Sequence, residues 1–243
     1  MKLNSPLPHS RSSALSNFPS SGLCSSMPFP PIPPLPHFRT RALPNFPVPP
    51  YRAVVIGGSA GGVEALSIVL SEFPADFPLP ILVVQHLHPS DNGSFVSYVA
   101  RMVCLPVLEP CDKERIECGC IYTAPANYHM LVERDGTISL SVDERVNWSR
   151  PSIDVLFESA ALAWGGAVVA VILSGANSDG TKGMQALREA GGLTIAQDLA
   201  TAEYPVMPKS AIDAGVVNEV LSPEGIRRRL IGIGKVSSHR MTD

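Results

Sequence analysis

The residues best suited to chemistry begin at Ser59. It stands in Gly57-Gly58-Ser59-Ala60-Gly61-Gly62, directly after the apolar run Ala53-Val54-Val55-Ile56. Gly57 to Gly61 reads as G-x-S-x-G, the pattern of a nucleophile elbow. A serine on a sharp strand-to-helix turn needs neighbours without bulk, because the backbone is strained and the substrate must come close. The amino end of the helix that follows favours developing negative charge. Two other readings stay open at this point, a phosphate- or nucleotide-binding glycine loop and a purely structural turn. Against the loop, the stretch lacks the spacing of G-x-G-x-x-G and the P-loop lysine.

His86 ends a second apolar run, Ile81-Leu82-Val83-Val84-Gln85. If both runs are neighbouring parallel strands, His86 reaches the same sheet edge as Ser59, where a general base would have to stand. His88, two residues further into the loop, reads as exposed. A carboxylate should orient the base. Asp179, just beyond the run 167–173, and Asp198, after Thr194-Ile195-Ala196-Gln197, both qualify by position, and spacing does not choose between them. Asp179 also fits a plain helix cap. The order Ser, His, Asp differs from that of the α/β-hydrolases, where the acid precedes the histidine.

The elements that must position these groups follow from periodicity. Residues 53–56 and 81–84 read as buried strands, with helical spacing over 61–73 between them, which makes a right-handed βαβ unit. A helix is expected over 91–102, and short strands at 107–108, 121–123, 130–132 and 138–140. Asp135-Gly136 marks a hairpin. Pro151 suits the first turn of a helix ending near Trp164. Residues 167–173 form a further strand, 179–190 a helix closed by Gly191-Gly192, and 193–196 a strand. Helices at 208–214 and from 223 to about 233 close the chain. The expected fold is α/β: a mainly parallel, doubly wound, Rossmann-like sheet with helices on both faces and a small antiparallel insertion near 120–141. Such sheets hold ligands beyond the carboxyl ends of their strands.

Composition narrows the function classes. The chain has 243 residues, 45% of them hydrophobic and 17% charged, which is enough for a substantial core. A net charge of −3 argues against nucleic acid as a partner, and no 18-residue apolar run argues for membrane insertion. Residues 1–50 hold 13 of the 24 prolines, nine serines, four basic residues and no acid. They read as a disordered leader, followed by one catalytic domain over 51–235 and a flexible tail over 236–243. Five cysteines without a secretory signal suggest reduced cytoplasmic thiols. The spacing of Cys111, Cys118 and Cys120 fits no standard zinc pattern, so no metal is expected.

Taken in order, the segments Ile56–Gly62, Val84–His86, Tyr122–His129, Arg150–Phe157, Leu173–Gly180 and Met207-Pro208 resemble the catalytic domain of the CheB-type chemotaxis receptor methylesterases, across about residues 52–233. The resemblance implies a protein-glutamate methylesterase that releases methanol from γ-methyl esters on a methyl-accepting chemotaxis receptor or related sensory protein. Some members also deamidate receptor glutamines. Cofactors and metals are not implied. Position by position, Ser59 corresponds to the nucleophile, His86 to the base and Asp179 to the orienting acid. Ala60, Ala176, His129 and Arg150 fall at the oxyanion and substrate cleft, although a buried, hydrogen-bonded histidine and a salt bridge at a helix start fit His129 and Arg150 equally well. Three departures stand out. Ala60 replaces the family's usual threonine, and Gly175-Ala176-Asn177 replaces Gly-Met-Gly, whose Met backbone N–H serves the oxyanion hole. The first 50 residues are also no receiver domain, which implies a stand-alone domain, constitutive or controlled by a separate regulator. The first two changes motivate an alternative, a catalytically impaired descendant that binds a receptor or ligand. Met207-Pro208 is expected at the cleft rim, and Trp148 and Trp164 read as packing groups.

Overall fold

The computed structural model describes residues 51–239, with side chains through 235. In chain order the elements are β1 (Ala53–Gly58), α1 (Gly62–Leu70), β2 (Ile81–Gln85), α2 (Ser94–Ala100), β3 (Val107–Leu108), β4 (Ile121–Thr123), β5 (His129–Val132) and β6 (Ile138–Ser141). They continue with α3 (Ile153–Trp164), β7 (Val168–Ile172), α4 (Thr181–Glu189), β8 (Leu193–Gln197), α5 (Val206–Asp213), β9 (Glu219–Leu221) and α6 (Pro223–His239). The expectation of a leader over 1–50 lies outside the described residues. So does most of the expected tail, although the α6 backbone runs on to His239, beyond the helix end expected near 233.

Seven strands form one parallel sheet in the order β3-β4-β2-β1-β7-β8-β9. The apolar runs at β1, β2, β7 and β8 are buried on both faces, as a parallel sheet between helix layers requires. Alternation along β1 sends Val54 and Ile56 to one layer and Ala53 and Val55 to the other. The first layer is built by α1, α2 and α6 through Leu66, Val69, Phe95, Val99, Ile226 and Leu230. The second is built by α3, α4 and α5 through Ile153, Phe157, Met184, Leu187 and Met207, together with Met130 and Ile138 of the β5–β6 hairpin. Each such side chain, fully withdrawn from water, contributes about 1.5–3 kcal/mol before entropy is charged.

The first described strand, β1, lies in the middle of the sheet. From β1 the chain passes through β2 to the edge strand β3, comes back to place β4 between them, then crosses to β7 on the other side of β1 and winds out to β9. The strand order therefore reverses beside β1, which is where an open α/β sheet leaves a crevice.

Two expectations change. The antiparallel insertion is only the β5–β6 hairpin, because β4 pairs in parallel with both β2 and β3. The edge strand β9 was not foreseen: its three residues are half-exposed, so no apolar run announces it.

Gly57 shows how tightly the strand end is held. A Cβ there would lie 2.3 Å from Ile153 Cγ2, a branched side chain with no room to retreat. Gly57→Ala should cost about 1–3 kcal/mol through overpacking. At roughly 2–4 °C per kcal/mol for a domain of this size, thermal unfolding reads the loss directly.

Candidate active site

The turn after β1 carries Ser59, and neighbouring strands fix its backbone. Its N–H donates to Ser174 O (2.9 Å), beyond β7. Its carbonyl accepts from Gly62 N–H (2.8 Å) and from Gln85 Nε2 (2.7 Å), at the end of β2. Gln85 is buried and explains the glycines around it. A Cβ on Gly58 or Gly62 would sit 2.9 or 2.8 Å from Gln85 Oε1. Gly61, with φ 68°, makes the left-handed turn into α1. Ser174 ties the other side: its Oγ donates to Ala60 O (2.8 Å) and accepts from Tyr204 N–H (2.9 Å). Sequence reasoning assigned no role to Gln85 or Ser174. The available signal for Gln85 was a polar residue closing an otherwise apolar run.

His86 extends from the end of β2, with its N–H on Gly58 O (3.0 Å). Its Nδ1 lies 3.2 Å from Ser59 Oγ and its Nε2 2.8 Å from Asp179 Oδ2. The three side chains thus come from strands adjacent in the sheet, in the order β2, β1, β7. Asp179 is fully buried. Burial alone would raise its pKa, but bonds from His86, Asn147 and the Ile153 N–H outweigh that and hold it below the ordinary carboxylate value. An ionised carboxylate only accepts, so His86 donates to it from Nε2, and the neutral form of the ring then presents a bare Nδ1 to Ser59. In the familiar Ser-His-Asp template the opposite ring nitrogen faces the serine.

Five donors surround Asp179. Oδ2 takes His86 and Ile153 N–H (2.7 Å). Oδ1 takes Asn147 Nδ2 (2.9 Å), Ser152 Oγ (2.9 Å) and Asp154 N–H (3.2 Å). Ile153 and Asp154 open α3, so Asp179 supplies the negative charge at that helix's amino end. Ser152 stands at the N-cap position, yet its hydroxyl goes to Asp179 and does not cap its own helix.

Asn147 also donates to Asp154 Oδ2 (2.7 Å), and Gly183 N–H donates to Asp154 Oδ1 (2.9 Å). Two buried carboxylates therefore share one amide. Burial drives the Asp154 pKa up from 3.8 to about 6, the Asp179 charge adds to the rise, and the bonds from Gly183 and Asn147 oppose it. The folded protein then binds a proton that the unfolded chain has released between about pH 4 and 6, so this group's contribution to stability falls as pH rises through that window. Asp179 has the opposite sign, and its contribution is lost only as pH drops below the ordinary carboxylate range. The thermal midpoint of the wild type relative to Asp154→Asn should therefore decline from pH 4.5 to pH 7. A difference independent of pH would mean that Asp154 is ionised throughout.

The other expected residues divide. Among the described residues, the backbone N–H groups of Ala60 and Ala176 donate to no acceptor. Ala60 follows Ser59, and Ala176 lies two residues after Ser174, so both flank the elbow. Arg150 lines a cleft of about 250 Å³ with His86, although its Nη1 is engaged by Val142 O and Asp143 O. His129 is 2% exposed, with both ring nitrogens taken by Glu144 O (3.0 Å) and Ser152 N–H (3.2 Å). It anchors the segment that carries Asn147 and offers no free nitrogen to the cleft. Asp198 accepts from Ala200 N–H in its own turn, while His88 is exposed and bonds Ser90. Met207 is buried beneath Gly175 and is not at the rim: its sulfur and methyl fill the space a Cβ on Gly175 would need. Trp164 packs, with Arg52 over its ring at 5.4 Å. Trp148 does not pack, being 93% exposed.

A hydroxyl, an imidazole and a buried carboxylate joined at the carboxyl edge of a parallel α/β sheet have the chemistry of an acyl-transferring hydrolase. Comparison with known proteins narrows this class. Residues 54–230 match the family model of the CheB methylesterases. The chain is 46% identical over 181 residues to a provisionally assigned enzyme of this group in Leptospira interrogans, covering 74% of this chain and 94% of that one. It is 40% identical over 177 residues to the protein-glutamate methylesterase/protein-glutamine glutaminase of Symbiobacterium thermophilum, covering 73% of this chain and 49% of that one, so it spans about half the length of that relative. The crystal structure of the Thermotoga maritima CheB methylesterase catalytic domain superposes with a TM-score of 0.72 at 34% identity, covering 75% of this chain and 98% of that one. The chain belongs to the CheB methylesterase family and is a methylesterase of that kind.

Proposed function

We propose that this protein hydrolyses glutamate γ-methyl esters on a chemotaxis receptor or related sensory protein, with Ser59 as nucleophile, His86 as general base and Asp179 as the acid that orients it. The observation that carries the reading is the unbroken hydrogen-bonded relay from Ser59 Oγ through both nitrogens of His86 to Asp179.

In this mechanism Ser59 Oγ attacks the ester carbonyl as its proton passes to His86 Nδ1. The oxyanion is received by the unengaged N–H groups of Ala60 and Ala176, and a backbone donor survives replacement of the family's threonine and methionine by alanine. As the intermediate collapses, His86 returns the proton to the departing methoxide. Methanol leaves and a glutamyl ester of Ser59 remains. Water, deprotonated by His86, then releases glutamate and restores the hydroxyl. A glutamine amide follows the same course with ammonia as the leaving group, which brings deamidation within reach of the site. Four described cysteines are unpaired, as expected of a reducing compartment, and the cytoplasm is the proposed location. Among the described residues no helix is long and apolar enough to cross a membrane.

The test is methanol release from a methyl-esterified receptor fragment. Release that disappears in Ser59→Ala supports the proposal. A folded wild-type protein that binds the fragment but releases no methanol would point to a binding descendant.

A further inference from the structure

Trp148 carries a large apolar side chain almost wholly in water, 93% exposed. Its backbone makes that placement more unusual. Val146 and Ser149 bond each other in both directions (3.2 and 2.9 Å), closing a two-residue hairpin over Asn147 and Trp148. Both tip residues are left-handed, with φ 49° and 64°. Asn tolerates that region, but a bulky side chain seldom enters it, and the second place in such a turn usually belongs to glycine. Here a tryptophan accepts the backbone cost and gains no packing within the fold. Strain that persists without local compensation is a pointer to function.

The tip is also fixed relative to the reacting groups. Asn147 bonds both Asp179 and Asp154, so the indole is one residue from a side chain that holds the orienting acid. Trp148 lines the same cleft as His86. The charged side chains lining that cleft are Arg145 and Arg150, with no carboxylate among the lining residues. Arg150 is engaged by backbone carbonyls. Arg145 is exposed and has no partner among the described residues. An indole face beside an uncommitted guanidinium complements a segment that offers both apolar and anionic side chains.

We propose that the 146–149 hairpin is a substrate-docking element, in which Trp148 packs against the acidic receptor segment flanking the glutamyl ester and Arg145 pairs with one of its carboxylates. This rests on the methylesterase reading and adds to it residues that hold the protein substrate away from the reacting bond.

The chain has only two tryptophans, and Trp164 is half-buried within the fold, so an emission change that disappears in Trp148→Gly belongs to Trp148. Titrating Ser59→Ala protein with a methyl-esterified receptor cytoplasmic fragment should shift that emission to the blue. The shift should vanish when Trp148→Gly is added, and binding should weaken about tenfold, a usual size for loss of an aromatic anchor. In otherwise wild-type protein, Trp148→Gly should raise the receptor KM far more than it lowers kcat. Trp148→Phe should restore most of the loss, and Arg145→Glu should raise KM and reduce its dependence on salt. Glycine suits the left-handed turn, so the thermal midpoint should not fall. An unshifted emission on saturation, or a Trp148→Gly protein that binds the fragment like its parent, overturns the docking role. A loss of equal size on 4-nitrophenyl acetate also overturns it, since that would place the effect at the triad through Asn147. Absence of methanol release from wild-type protein tells against the methylesterase reading instead, and the emission titration still decides whether Trp148 docks the fragment.

Discussion

Ser59→Ala should reduce kcat for methyl-ester hydrolysis by about 10⁴–10⁶-fold, the range seen when the nucleophile of such a relay is removed. The change deletes one oxygen, whose bond in the free protein is to His86 Nδ1. The elbow itself is held by backbone bonds to Ser174 and Gly62 and by the Gln85 amide, and none of these needs the hydroxyl. Stability should therefore stay within about 0.5 kcal/mol of the parent, because the one bond lost joins two partly exposed groups and leaves the packing and the Asp179 bonds in place. Methanol release and thermal unfolding, measured on the same preparation, separate the two effects.

Asp179→Asn is expected to be nearly as damaging to rate, by about 10⁴-fold, and to cost stability as well. Either orientation of the new amide turns an NH₂ group toward donors. Oδ1 now receives three and Oδ2 two, so the NH₂ settles on the Oδ2 side. There it leaves Ile153 N–H without an acceptor, at about 1–3 kcal/mol. It also forces His86 to accept at Nε2, which moves the imidazole proton to Nδ1. In that tautomer His86 can no longer take the proton of Ser59. A fall in kcat together with a lower thermal midpoint, and a Ser59 that reacts slowly with electrophiles, is the expected pattern. Wild-type kcat in Asp179→Asn would remove Asp179 from the relay.

The first half of the site was readable because it depends on strand ends. A serine after one buried run and a histidine after the next must meet if the runs pair in parallel, and β1 and β2 do. The acid was harder. Asp179 and Asp198 both follow strands, spacing does not choose, and the family resemblance alone pointed to Asp179; the fold supplies the physical reason, since the loop after β7 places Asp179 against the amino end of α3, whereas Asp198 turns back on itself. Asn147, Ser152 and Asp154 carried no signal alone, and Gln85 only that of a polar residue closing an apolar run. They are ordinary polar residues whose meaning comes from what lies opposite them, 25 to 32 positions away in several cases. For His129 the fold selects the plainer of two readings the sequence allowed, a buried histidine consumed by backbone partners. Trp148 was misread, since a tryptophan is by default a packing group and nothing in its immediate sequence reveals a left-handed turn facing solvent.

The hydrogen-bond network also ties Asn147 and the first turn of α3 to His86 through Asp179. Asp179 is shared between His86 and the first turn of α3, and Asn147 links it to Asp154. Displacing any of these elements changes the orientation of one imidazole. Gly57→Ala should thus lower activity as well as stability, because it pushes on Ile153, whose N–H holds Asp179.

Covalent labelling tests the relay most directly. The folded protein is exposed to a fluorophosphonate at neutral pH, and the adduct is located by peptide mass spectrometry in wild type, Ser59→Ala and His86→Gln. One adduct on Ser59, absent from the alanine variant and formed at least 10²-fold more slowly without the imidazole, is the result expected of a base-activated hydroxyl. A folded wild-type protein that takes up no label, or that labels equally fast without His86, would contradict it.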